Sequence, residues 1–391
     1  MANVRERGEA GVGSPNALRQ ANRRRVLEAL RHEGVSTQSA LARRTGLSRA
    51  TVFNIVQELE QGGIVVRSGA GRTVEIAFSR NAGLAIGIDV DHRHLRVAVA
   101  DLNHAVLHED LEPLGEGAAA DATIARAAEL VDGALATLDA GLSDVIGIGM
   151  CLPAPMDVAS GTVGSTSILP GWIGIPAAEV MQYRLGLPVI VDNDANLGAL
   201  AELTWGAARG YRDVVYLKMA TGVGAGLVIR GELYRGSSGT AGEIGHTTID
   251  ERGPICRCGS RGCLEALVGG EALLALLPPT RAGVTSLPEL VAQAVAGDPA
   301  CQRVVADAGR HIGIAVANIC NTIAPECVVL GGELADAGDL VFDPIRTSLT
   351  AHAVRPAVDR IVVTPAALGD RAEVLGAIAV VLHAHTPSVS S

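Results

Sequence analysis

From Ala82 onward, short apolar runs alternate with helix-like stretches, and this alternation restricts the chain to a layered α/β body. LAIGIDV, LRVAVADL, VIGIGMCL, PVIVDNDA and CVVLGGELA have strand length and little polar interruption. Such strands are buried on both faces, with helices covering the sheet. Helices are predicted over 122–139, NLGALAELTWGAA, 301–323 and RAEVLGAIAVVLHAH, and VVYLKMATGVGAGLVIRGELY predicts two strands around a Gly-rich turn. The arrangement implies a body of two lobes, without a sequence repeat of short fixed period. A hydrophobic content of 48% supplies a large core. No run of about 18 apolar residues suggests a membrane span. The opening MANVRERGEAGVGSPN lacks an apolar signal region, and seven cysteines, an odd number, fit a reducing compartment. A cytoplasmic protein is expected.

The first 80 residues differ in kind. They carry 13 Arg against 7 Glu, a balance of +6, whereas the remainder holds 19 basic and 35 acidic residues, a balance of −16. A basic head on an acidic body directs only the head toward a polyanion. With Phe53 and Phe78 its only aromatic residues, the head is poorly equipped to stack single-stranded bases, so duplex DNA is the expected partner.

After a flexible segment (1–15), the head (16–80) predicts a helix from Asn16 to Arg31, ended by Gly34. A second helix over Gln38–Arg44 follows, capped by Ser36 or Thr37. Gly46 makes a turn, and Ser48 caps a third helix over Arg49–Gln61. There Val52, Ile55, Val56 and Leu59 repeat at the spacing of one buried helical face. Helix, short turn and helix place the last helix in a major groove. IVVRSGAGRTVEIAF predicts a hairpin wing with Arg67 and Arg72 beside its tip. The candidate DNA-binding residues are Ser48, Arg49, Thr51, Asn54, Arg67 and Arg72. Thr51 and Asn54 can read bases; Arg49, Arg67 and Arg72 can hold phosphates.

In the body, His246, Cys256, Cys258 and Cys263 offer one nitrogen and three sulfurs with spacing H-x9-C-x-C-x4-C. Soft thiolates with imidazole favour tetrahedral Zn²⁺, and four protein ligands make it structural, one ion per chain. Cys151, Cys301, Cys320 and Cys327 read instead as core thiols.

Four motifs form a set: DNDAN at Asp192–Asn196, ATGVGAG at Ala220–Gly226, AGEIGH at Ala241–His246 and CRCGSRGCLE at Cys256–Glu265. Together they resemble the ROK family of sugar kinases and sugar-responsive repressors, over about residues 82–386. The resemblance implies an actin-like (ribonuclease H-like) two-lobed body over 81–391 with a zinc at the four ligands. The winged helix-turn-helix places the chain with the branch similar to the xylose and N-acetylglucosamine repressors. The resemblance also assigns sugar contacts to Asn193, Asp194, Glu243, His246 and Glu265. His246 could serve both purposes, one ring nitrogen on the metal and the other toward a sugar hydroxyl. Where the family often has Asn before LPGW, Ile168 stands here.

In the family's kinases Asp194 would be the general base; here it is expected to be a vestige of that position. A kinase carries Asp-x-Gly-Gly-Thr after its first strand, whereas this chain has Asp89, Val90, Asp91, His92 and Arg93. The glycines that would admit phosphates to the backbone are replaced by side chains. The later turn Thr221–Gly224 and the pair Gly331–Gly332 are kept. The implied protein is a non-enzymatic, sugar-responsive repressor, a homodimer or homotetramer on an inverted-repeat operator, with a small sugar as effector. An ATP-dependent sugar kinase with a DNA-binding head, or a repressor governed by a protein partner, are the alternatives.

Overall fold

The computed structural model describes residues 15–69, 74–115, 119–154, 156–157, 162–163 and 169–384. Arg72, Ile168 and the expected flexible segment up to residue 14 lie outside the described residues.

The chain forms two compact units. The first contains the head. Helix α1 (Pro15–Glu33) is followed by β1 (Ser36–Thr37), α2 (Gln38–Thr45), α3 (Arg49–Gln61), β2 (Val65–Ser68) and β3 (Glu75–Phe78). Thr37 caps α2 by accepting from the Ala40 N–H, Gly46 ends it in the left-handed region at φ 69°, and Ser48 caps α3 by accepting from the Thr51 N–H. Val52, Ile55, Val56 and Leu59 are buried, as their spacing predicts. β2 and β3 form the antiparallel wing. β1, which the sequence reading passes over, pairs with β3 and makes the wing three-stranded.

This unit also takes in Ala100–Val106 and the chain from Leu382. His104 Nε2 lies 2.5 Å from the Arg31 carbonyl, and the His32 and His383 rings stand 4.7 Å apart between centroids.

The second unit carries most of the alternating body. Its elements are β4 (Leu84–Val90), β5 (His94–Asp101), β6 (Val106–Pro113), α4 (Ala120–Thr137), β7 (Val145–Leu152), β8 (Met156–Asp157), β9 (Thr162–Val163), α5 (Ala177–Leu185), β10 (Val189–Asn193) and α6 (Asp194–Thr204), with a few terminal residues of β4, β5 and β6 counted in the first unit. There follow β11 (Val214–Met219), β12 (Val223–Ile229), β13 (Glu232–Leu233), α7 (Leu264–Val268), α8 (Gly270–Ala275), α9 (Leu287–Val295) and α10 (Pro299–Ile323). The chain continues with β14 (Cys327–Gly331), α11 (Asp339–His352), α12 (Arg355–Val358), β15 (Val362–Pro365) and α13 (Ala372–Ala384). Among the described residues these strands make two five-stranded sheets, ordered β10-β7-β4-β5-β6 and β13-β12-β11-β14-β15, and a short β8–β9 ribbon. β14 runs parallel to both β11 and β15, while β12 is antiparallel to β11. Each parallel pair needs a crossover, supplied by α10 and α11. Leu217, Leu330, Ile312, Val316, Ile345 and Leu349 belong to one buried cluster under that sheet. Cys151, Cys301, Cys320 and Cys327 are buried, as core thiols should be. Among the described residues no helix is long and apolar enough to cross a membrane.

Candidate functional site

A cavity of about 250 Å³ in the second unit is lined by Asn193, Asp194, Glu243, His246 and Glu265 together. All five residues that the motifs nominate thus converge from segments up to 72 positions apart.

The DNDAN motif works as a junction between β10 and α6. Buried Asp192 accepts from the Asn196 amide at 2.8 Å and from Arg235 Nε at 2.7 Å. Asn193 is the N-cap, its Oδ1 accepting from the Asn196 N–H at 2.8 Å. With the outer residues engaged in holding the turn, Asp194 opens the helix at the cavity wall. Its Oδ1 accepts from the Ala195 N–H at 2.9 Å, and its Oδ2 lies 2.9 Å from Lys218 Nζ.

AGEIGH approaches β12 closely enough to exclude a side chain at its glycine. Gly242 has φ 95°, and a Cβ there would stand 1.9 Å from the Ala225 carbonyl oxygen. The Gly242 carbonyl in turn accepts from the Ala225 N–H at 2.9 Å. This contact brings Glu243 and His246 to the cavity. Burial pushes the Glu243 carboxyl above its ordinary range, opposed by His246. Glu265 is only 10% exposed; its carboxylate accepts from the Val223 N–H at 3.0 Å and pairs with Arg257 Nε at 2.8 Å. It is therefore a built-in anchor and no ordinary surface charge.

His246, Cys256, Cys258 and Cys263 place their ligand atoms within 4.8 Å of one another. Cys256 Sγ is 3.6 Å from His246 Nδ1, and Cys258 Sγ is 3.7 Å from Cys263 Sγ. A tetrahedral zinc with ordinary bond lengths requires S···N and S···S edges of about 3.6 and 3.8 Å; these two pairs already stand at such distances, and the four residues together could hold a metal ion. Gly262, at φ 62°, lets the Cys loop turn against Asp250, whose carbonyl oxygen would be 1.5 Å from a Cβ. His246 presents Nδ1 to the sulfurs and Nε2 toward Glu243 Oε2, 4.0 Å away.

The first turn of the cavity wall, between β4 and β5, is filled by side chains. His92 Nδ1 lies 2.8 Å from Asp91 Oδ1, Arg93 pairs with Glu333, and His94 Nε2 is 2.9 Å from Asp89 Oδ2. Burial opposes the charge on Asp91, but His92 and the Lys218 and Arg93 contacts outweigh it and bring the carboxyl down to about 2.

Lys218, Glu373, Arg257 and Glu333 line the same cavity and were missed in the sequence. Lys218 Nζ is 2.6 Å from Glu373 Oε1. Burial works against its charge, yet Asp194 and Glu373 together hold the ammonium above the usual lysine range.

In the head, Arg49 and Asn54 are exposed on α3. The Ser48 hydroxyl is 2.8 Å from that of Thr51, so both serve the helix start. Arg67 pairs with Glu60 and sits 6.0 Å from the Phe53 ring centroid. Gln38 Nε2 donates to the Arg49 carbonyl at 3.2 Å and ties α2 to the start of α3.

Residues 19–66 match a winged helix-turn-helix DNA-binding domain and residues 85–384 match the ROK family. The chain is similar to the xylose repressor of Caldicellulosiruptor bescii, with 29% identity over 390 residues, 95% of this chain and 98% of that protein. It is 32% identical to the glucokinase of Streptomyces coelicolor over 319 residues, 75% of this chain and 96% of the enzyme. The crystal structure of a ROK family transcriptional regulator, a homologue of the E. coli MLC protein, has the same fold. Its TM-score is 0.77 at 24% identity, covering 93% of this chain and 96% of that one. On a match that spans both sheets and the whole cavity, the chain belongs to the ROK family.

Proposed function

We propose that this protein is a sugar-responsive transcriptional repressor whose winged head binds duplex DNA and whose cavity binds a small neutral sugar. The observation that carries the reading is the coexistence, in one chain, of the head with the five converging polar residues Asn193, Asp194, Glu243, His246 and Glu265. The similarity to a xylose repressor over 95% of the chain supports it. Carboxylates and amides grip adjacent sugar hydroxyls, and a structural zinc on His246, Cys256, Cys258 and Cys263 would fix the His246 ring beside Glu243. The zinc supplies rigidity there and no chemistry. Ser48, Arg49, Thr51, Asn54, Arg67 and Arg72 form the DNA surface; Arg67 exchanges Glu60 for phosphate on binding. A homo-oligomer in the cytoplasm pairs two heads on inverted half-sites. A sugar held from both walls favours one cleft angle and so shifts the equilibrium between DNA-binding states.

The kinase reading has the glucokinase similarity and the Thr221–Gly224 turn in its favour. Against it stands the β4–β5 turn, where Asp91, His92 and Arg93 replace the Gly-Gly-Thr of the kinase motif and Arg93 pairs with Glu333. A thermal-shift screen of unphosphorylated and phosphorylated sugars, run beside an ADP-release assay with ATP, separates the two. Stabilisation by a neutral sugar without ADP release supports the repressor. Sugar-dependent ADP release that Asp194→Asn abolishes supports the kinase.

A further inference from the structure

Lys218 is the penultimate residue of β11, and its Nζ reaches the first residue of α6 and the first turn of α13, 2.9 Å from Asp194 Oδ2 and 2.6 Å from Glu373 Oε1. The side chains are 16%, 23% and 11% exposed for Lys218, Asp194 and Glu373, and all three line the cavity. A general base must accept a proton and become neutral. Were Asp194 to do so here, it would give up its charge partner and leave a buried ammonium balanced by Glu373 alone, at the cost that attends broken buried pairs. A charge-paired carboxylate, by contrast, is a well-fixed acceptor for a hydroxyl.

We propose that Lys218 is a positioning residue that holds Asp194 as a fixed hydroxyl acceptor and withdraws it from general-base service, making the cavity a site that binds a neutral polyol without activating it. The inference rests on reading the cavity as a sugar site. Its charge balance does not depend on the zinc cluster, since neither Asp194 nor Glu373 belongs to that segment. The groups that face Lys218 are Asp194 on α6, Glu373 on α13, Asp91 after β4, Cys151 on β7 and Tyr216 on its own strand. Asp89 on β4, which faces Glu373, is itself paired with His94.

The first test needs no sugar. In the full-length protein, Lys218→Met leaves Asp194 and Glu373 without their shared cation; burial and the neighbouring Asp194 charge push the Glu373 carboxyl up, so the deficit must grow as rising pH ionises Glu373. The melting temperature of Lys218→Met should fall short of wild type by at least about 4 °C more at pH 8 than at pH 5. Adding Asp194→Asn should remove most of that pH dependence. A deficit equal at both pH values, or one that Asp194→Asn leaves unchanged, would mean that Lys218 acts only by packing and would overturn the proposal. A Lys218→Met chain that folds at neither pH while the double variant folds supports it; failure of both overturns it.

The second test uses D-xylose and D-glucose as probes in calorimetric titrations at pH 8. For a sugar that wild type binds, Lys218→Met and Asp194→Asn should each weaken binding at least tenfold. Unchanged affinity in Lys218→Met would overturn the positioning role. If wild type binds no sugar at all, the sugar reading fails, and the pH-dependent stability alone decides whether Lys218 holds the charge of Asp194.

Discussion

The side-chain amide of Asn103 closes a reciprocal pair with the backbone of Phe78: its Oδ1 accepts from the Phe78 N–H at 2.7 Å, and its Nδ2 donates to the Phe78 carbonyl at 3.0 Å. Asn103 sits in the turn between β5 and β6, and Phe78 ends the wing strand β3. Asp101 shapes the turn by accepting from the N–H groups of Asn103 and Ala105, each at 2.9 Å. The wing is thus held by a turn within its own unit.

Replacing Asn103 by Ala strips a donor and an acceptor of their partner. Asn103→Ala should lower stability by about 1–3 kcal/mol, the usual cost of leaving part-buried polar groups unsatisfied. Asn103→Asp keeps the accepting oxygen but turns its second oxygen toward the Phe78 carbonyl and the Asp101 carboxylate, so it should lose at least as much. Urea denaturation followed by circular dichroism gives both values, and full retention of stability in either variant would contradict the reciprocal role.

Protein purified without added metal should contain about one zinc per chain by elemental analysis. Cys258→Ser should drop this toward zero and weaken sugar binding through His246, because one lost thiolate opens a tetrahedral site. Zinc-free wild type would end the assignment.

On α3, exposed Arg49 and Asn54 should separate in their effects on DNA. Arg49→Ala should weaken binding to all duplexes and flatten the salt dependence, whereas Asn54→Ala should relax preference at one base position. Competition between operator variants at two salt concentrations distinguishes these outcomes. If neither substitution changes binding, α3 does not contact the DNA.

Burial holds His32 down to about 4 and His383 down to about 3; Arg31 further lowers both, and His32 further lowers His383. Both are thus neutral when folded, while the unfolded chain protonates them below about pH 6.5. Folded values below unfolded ones for a base mean that stability falls as pH drops through the window from about 6.5 to 4. The slope reaches at most about 1.4 kcal/mol per pH unit for each histidine. His383→Gln should flatten that acid limb in melting curves, and an unchanged limb would show that other groups produce it.

The extent to which these features were readable in the chain follows from how far apart the partners lie. Helix starts were legible because Thr37 and Ser48 cap locally, and the His/Cys cluster that could hold a metal ion because its three cysteines fall within eight residues. β6 was missed: VLHEDLEP mixes charges with apolar residues, and Leu107 and Leu111 stay 45% and 54% exposed at the sheet edge. Lys218 was missed because a lysine in an apolar run reads as solvent-facing, while its partners Asp194 and Glu373 lie on α6 and α13, remote in sequence. The first unit's borrowed segments, Ala100–Val106 and the chain from Leu382, were illegible for the same reason: hydrogen bonds to Phe78 and packing on His32 leave no periodic trace.

The proposed repressor couples a sugar in the cavity to DNA at the head. Fluorescence anisotropy of the full-length protein on duplex DNA from upstream of its own gene, titrated with a sugar that stabilises it, measures this coupling. Bound sugar should change the Kd for DNA about 5–150-fold, the range of about 1–3 kcal/mol typical of allosteric coupling. Glu243→Ala should bind the same DNA yet lose the response. A Kd that the bound sugar leaves unchanged, or a Glu243→Ala protein that responds like wild type, would contradict it.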